Sequence, residues 1–273
     1  MRQAQALAVL GMELKKNFIT KRGFWIYLLA AVPAIIVWLH SIVTIQRASN
    51  SHDLSKDTNV LAVLFGVFFL RPAVFFGCVG IFTYLFRGEF VERSLHYYFL
   101  APVRREILVV AKFAAGLITA AAFFGGSMVL TFAGMYAHYP QFQVKEWMLS
   151  GPGLGHLGAY VGITILACMA WGSMFLWTGI RFRNPIIPAV VLLTWESASV
   201  FMPSWLRKVS VLHHLQSLVP VQGDLRGPGV LLGATPEPEK AGVAILYLIV
   251  FTGIMLALSA VQLRTTEVSY STD

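Results

Sequence analysis

Charge is scarce in this chain. Asp, Glu, Lys and Arg make up 12% of its 273 residues, about half the ~25% carried by soluble domains. With 57% hydrophobic residues and a mean hydropathy of +0.68 over the whole length, the composition excludes an ordinary soluble fold. Cysteine is almost missing. Cys78 and Cys168 each lie inside an apolar run, which excludes a disulfide framework and any CxxC metal spacing. A phosphate-binding P-loop needs glycine-rich backbone amides and a Lys directly after Gly, and none of the 23 glycines is followed by Lys. HExxH, Gly-x-Ser-x-Gly and paired-Glu intramembrane protease patterns are absent too. His213 and His214 are neighbours, so on a helix they diverge by ~100°; they read as polar residues on a surface helix and not as a metal pair. No catalytic residue, metal or cofactor is expected on this chain, and the formal charge of +8 has no soluble basic face on which to bind nucleic acid.

What the chain has in abundance is long apolar runs. A helical span needs ~20 apolar residues to cross ~30 Å of hydrocarbon. Six segments qualify: 24–45, 60–86, 107–136, 157–180, 186–202 and 242–263. The third is overlong and the fifth is the shortest. The first is longer than a signal-peptide core and lacks a small-residue cleavage pattern, so it reads as a retained span. The expected fold is an all-α polytopic membrane protein, a single domain over 1–273 with about six transmembrane helices.

Positive charge then orients it. With the N-terminus inside, 13 of the 21 Lys and Arg residues fall in inner segments and 8 in outer ones, and the inner ones crowd the span ends, where the positive-inside rule acts most strongly. Both termini are therefore expected in the cytoplasm of a multi-pass cell-membrane protein, here a bacterial inner membrane. Within 1–23, Leu7, Leu10, Leu14 and Phe18 recur at helical spacing while Glu13, Lys15 and Lys16 lie off that stripe. The pattern predicts an amphipathic helix lying flat in the headgroup layer. The outer segment 203–241 is long; Trp205, Val209, Leu212, Leu215 and Val219 fit a helical stripe that rests on the outer surface or re-enters the membrane. Gly158 and Gly162 form a GxxxG, with Gly155 nearby, and predict close helix packing.

The stretch 87–112 reads RGEFVERSLHYYFLAPVRREILVVAK. Gly88 and Glu89 end the second span. A short inner-side helix then carries Val91, Leu95, Tyr98 and Phe99 on one side and Glu92, Arg93 and His96 largely on the other. Leu100-Ala101-Pro102 breaks it, and Arg104 and Arg105 enter the third span. A helix this short does not bury its own apolar face. A partner groove would bury roughly four large side chains at ~1.5–3 kcal/mol each, partly offset by the costs of association. The alternative is an interfacial loop resting on lipid.

This segment resembles the coupling region of the type-2 ABC transporter permeases. Gly88, Glu89, Glu92, Arg93, Leu95, Leu100, Pro102, Val103, Arg104 and Arg105 follow the family's order of a Glu-containing turn, a short helix and a Pro-x-Arg-Arg-like entry into the third span. The N-terminal amphipathic helix, the six-span layout and the long outer segment agree with it. The resemblance implies a cytoplasmic coupling helix within 88–105, with Glu89, Glu92, Arg93, Leu95, Tyr98, Leu100, Pro102, Arg104 and Arg105 facing separate ABC ATPase subunits. Those partners would carry ATP and Mg. It also implies a second permease subunit, in a homo- or heterodimer, and export of a substrate. A membrane-anchored assembly or regulatory protein that binds a partner and moves nothing is the second reading.

Inside the membrane two charges stand out. Glu196 falls ~16 Å into the fifth candidate span, where a charge costs at least ~2.5–3.5 kcal/mol. With Trp195 beside it, it is either a pathway residue or a hydrogen-bonded helix contact. Arg71, before Pro72, either snorkels to the outer headgroups or touches substrate.

Overall fold

The computed structural model describes residues 2–19, 24–46, 53–92, 104–221, 223 and 238–265. Every regular element among them is helical. Helix α1 is Arg2–Ile19 and α2 is Phe24–Gln46. Helix α3 runs continuously over Leu54–Val91 and α4 over Arg105–Tyr136. After the short α5, Gln141–Leu149, come α6, Gly153–Arg181, and α7, Ile186–Ala198. Two short helices follow, α8 at Ser204–Arg207 and α9 at Val211–Ser217, and α10 is Ala241–Thr265. Five of these, α2, α3, α4, α6 and α10, are long and apolar enough to cross a membrane.

The candidate spans map onto this frame with two differences in length. Helix α3 has 38 residues, about 57 Å at 1.5 Å per residue, so it overshoots the bilayer. The fifth candidate, 186–202, contains a helix of only 13 residues, about 20 Å long. It stops at Ala198, and a 3₁₀ turn, Ser199–Phe201, leads into Pro203 and α8. The Ser199 hydroxyl donates to the Glu196 carbonyl at 2.7 Å, helping to end the α-helix.

Helix α6 is the centre of the bundle. The second half of α3 packs along one side of it and α10 along another. Gly179 lets backbones meet, since a Cβ there would fall 2.7 Å from the Thr83 carbonyl oxygen; at Gly172 it would strike the Phe82 ring. The GxxxG glycines are not at that contact: at Gly155, Gly158 and Gly162 a Cβ would meet nothing within 4 Å. Aromatic rings fill the α3–α6 seam. Phe75 lies edge-on to Trp171 and Phe175, with ring centroids 5.4 and 5.0 Å apart, a geometry that adds to simple burial.

Among the described side chains of helix α1, Val9 and Glu13 are buried, while Leu7 and Phe18 of the apolar stripe are exposed. The helix packs on the first half of α4. In a membrane the partner of an apolar stripe can be lipid, and protein then takes the side carrying the charges that hydrocarbon will not accept. His213 and His214 also differ from the surface reading: both are buried, because α9 packs against α6 and α10. The His214 ring stacks on Tyr247 with centroids 3.9 Å apart, and its Nε2 pairs with the Lys208 carbonyl at 2.9 Å.

At the end of the bundle where α3 begins, a polar clasp joins three elements. Asp57 Oδ2 accepts from the Tyr139 hydroxyl at 2.8 Å and lies 2.9 Å from His138 Nε2, while Ser41 Oγ of α2 is 3.5 Å from His138 Nδ1. Burial, then Asp57 itself, pushes the Tyr139 phenol above its ordinary range, so it stays a donor.

Candidate coupling site

At the other end of the bundle, α3 finishes at Val91 and α4 starts at Arg105. Arg93, Leu95, Tyr98, Leu100 and Pro102 lie outside the described residues. Glu89, Glu92, Arg104 and Arg105 frame them on either side, and each has a definite setting.

Glu89 is 1% exposed and Lys112 is 0% exposed. The Lys112 ammonium donates to Glu89 Oε1 at 2.6 Å, to Glu13 Oε1 at 2.5 Å and to the Leu85 carbonyl at 3.0 Å. Its three protons thus have three acceptors, and the Phe86 ring lies 5.3 Å from it, within cation–π range. Leu85 and Glu89 are one turn apart, so both face the same spot from α3. Glu13 reaches it from α1 and Lys112 from α4. One buried cation therefore pins three helices together, with two carboxylates around a single ammonium.

Glu92 caps α3 just beyond this knot. It accepts from the Tyr84 hydroxyl at 2.8 Å, and Lys16 of α1 is 3.9 Å away, a half-exposed pair worth little by itself. Gly88 makes room for the Tyr84 ring, which a Cβ would strike at 2.5 Å. Across the gap, Arg104 is exposed and sits in extended conformation at the cap of α4. Arg105 Nη1 donates to the carbonyls of Leu263 and Arg264, each at 2.8 Å. These are last-turn carbonyls of α10 that have no partner within their own helix. Glu106 pairs with Arg264, whose Nε is 2.5 Å from Oε1. The start of α4 thus holds the end of the last span, while the end of α3 holds α1.

The second set of expected site residues lies deeper. Glu196 is 5% exposed. Its carboxylate accepts from Ser210 Oγ at 2.5 Å and from the Val211 and Leu212 amides at 3.1 and 2.9 Å, closing the amino end of α9. Trp195 beside it is half-buried. Arg71 is covered by protein. It is 9% exposed, with Glu196 close enough to act on it electrostatically. It lies in a π-helical stretch, Phe65–Val74, where the Phe75 amide bonds to the Leu70 carbonyl. Pro72 within it has no N–H to give.

A family model described as ABC-2 family transporter protein matches residues 9–195, more than half of the chain. The chain belongs to the ABC-2 family of transporter proteins. No curated protein matches it. As an ABC-2 permease it is the membrane-spanning component of an ABC transporter, a family whose permeases work with an ABC ATPase. The match takes in Glu13, Arg71, Glu89, Glu92, Arg104, Arg105 and Lys112, and it ends one residue before Glu196.

Sequence reasoning named Glu89 and Arg105 but missed Lys112, Glu13 and Arg264. A signal existed for the first two. Lys112 stands several residues inside an apolar run, and Glu13 is the one acidic residue in 2–19. Each is a charge that hydrocarbon would not accept alone.

Proposed function

We propose that this ABC-2 permease is an exporter driven by separate cytoplasmic ATPase subunits, which bind ATP and Mg and grip the segment 93–103 between α3 and α4. The observation that carries this reading is the buried Glu13–Lys112–Glu89 knot. A segment that is to pass force from a partner into the membrane must be anchored stiffly at both ends. Glu89 anchors one end to α1 and α4, and Arg105 anchors the other to α10. Movement of 93–103 would then shift four helices together. An interfacial loop resting on lipid has no need of such anchors.

In this reading the exposed Glu92 and Arg104, with Arg93, Leu95, Tyr98, Leu100 and Pro102, meet the ATPase. A second permease subunit completes the passage, and Arg71, Trp195 and Glu196 border the substrate path. Both termini are cytoplasmic, in a bacterial inner membrane. The test is reconstitution with the ATPase that co-purifies with the chain. Glu92→Arg at the contact is expected to leave ATP hydrolysis running while flux into or out of liposomes falls at least tenfold. Glu89→Gln, which loosens the anchor, should do the same more mildly. Full flux in both variants, or no ATPase retained by the wild-type chain, refutes the assignment.

A further inference from the structure

Arg71 lies near the middle of the 38-residue α3 and is 9% exposed. Its Nε and Nη2 are buried without a hydrogen-bond partner. These two nitrogens form the side edge of the guanidinium, whose parallel N–H bonds match the two oxygens of a carboxylate or phosphate. Among the described residues, the acid that acts on Arg71 electrostatically is Glu196, and its oxygens are committed to Ser210, Val211 and Leu212. Glu196 therefore moderates the charge around Arg71 without filling its fork.

Leaving a cation with an unused fork inside a membrane bundle is costly. Buried polar groups are paired in the great majority of cases, and each exception asks for an explanation. Charges within spans face the protein interior or a substrate path. The local backbone supports the second option. The π-helical turn at Phe65–Val74 is a distortion frequently found at functional sites, and Arg71 lies within it, covered by protein.

We infer that Arg71 is an oxyanion-recognition residue: its open Nε/Nη2 fork takes the carboxylate or phosphate group of an amphipathic substrate inside the bundle. The stretch around Arg71 is apolar, with Phe65, Phe69, Leu70 and Val74 buried on it and Phe75 buried next to it, which suits the hydrocarbon part of an amphiphile better than a hydrophilic substrate. The nearby Glu196 carboxylate opposes the incoming anion, which keeps binding weak enough for release, as a conducting site requires. This deepens the export reading and depends on it for its role in transport, although the binding itself does not.

Binding is therefore measured on the purified full-length chain in neutral detergent, without ATP or an ATPase, by microscale thermophoresis. Dodecyl phosphate and dodecanoate are the oxyanion probes, dodecyltrimethylammonium is the cationic control, and inorganic phosphate tests a free anion. Wild type is expected to saturate with at least one oxyanion amphiphile and not with the cation. Arg71→Lys keeps the charge but loses the fork, and should bind roughly tenfold or more weakly; Arg71→Gln should bind more weakly still. Equal binding by wild type and Arg71→Lys overturns the fork. Equal binding by Arg71→Gln, or no saturable oxyanion binding by wild type, overturns the site. Inorganic phosphate binding as tightly as dodecyl phosphate overturns the amphiphile. If Arg71→Gln fails to give a monodisperse protein, the lysine variant decides. A chain that binds through Arg71 yet supports no flux keeps this site and refutes the exporter.

Discussion

Replacing Lys112 with Met probes the three-helix knot most directly. The side chain keeps its length and loses its charge, so the packing against Phe86 is nearly preserved. What remains is a pair of buried carboxylates, Glu13 and Glu89, whose oxygens each sat within 2.6 Å of the vanished ammonium. They therefore lie within about 5 Å of each other, and at an effective dielectric of ~20 their repulsion is roughly 3 kcal/mol. Measured losses on removing one member of a buried ion pair run at about 3–5 kcal/mol, which agrees. For a chain of this size that corresponds to a fall in melting temperature on the order of 10 °C. The assay is thermal unfolding in detergent, followed by loss of the monodisperse peak in size-exclusion chromatography. The triple variant Glu13→Gln, Glu89→Gln, Lys112→Met removes the repulsion as well, and should recover at least half of the deficit. If Lys112→Met melts with the wild type, or if the triple variant is worse than the single one, the knot does not hold the three helices as described.

Arg105→Ala strips the last-turn carbonyls of α10 of their donor. Amide exchange over 260–265 should accelerate by roughly tenfold or more, as expected for lost charged hydrogen bonds worth about 1.5–3 kcal/mol, while exchange in α2 stays unchanged. Glu196→Ala removes the two oxygens that accept three hydrogen bonds at the start of α9 and should speed exchange at Val211 and Leu212, whereas Glu196→Gln should keep part of the protection. The wild type should also lose stability as pH falls through about 6.5, the ordinary value for histidine. Burial holds His213 and His214 below that value in the folded protein, so the unfolded chain binds protons first and stability rises with pH across that window. Unfolding of a His213→Phe, His214→Phe variant should show a shallower pH slope between 5 and 7, and an unchanged slope would count against their burial.

Reading the sequence located the spans because hydropathy is a sum over neighbours, and a run such as 242–263 stays apolar whatever it packs against. The length of α3, the short helix at 186–198 and the setting of Arg71 were out of reach by that route. They depend on Pro72, Pro203 and Ser199 acting on particular turns. The stretch between α3 and α4 was legible as far as its charged frame, Glu89, Glu92, Arg104 and Arg105, because Gly, Pro and charge stand out against apolar spans. Its anchors were not, since Lys112 lies 99 residues from Glu13 in the chain and no local pattern joins them.

The apolar character, the all-helical class and the kinship with ABC-2 transporter proteins were determined by the amino-acid sequence alone. Which side of each helix meets protein was decided only by the tertiary structure. The reason is that lipid tails are as apolar as a leucine side chain, so an apolar stripe such as Leu7 to Phe18 carries no label for lipid or protein. Glu13 and Lys112 supply that label by finding each other, and Gly179 supplies it by the close approach of Thr83, both of which require the folded chain.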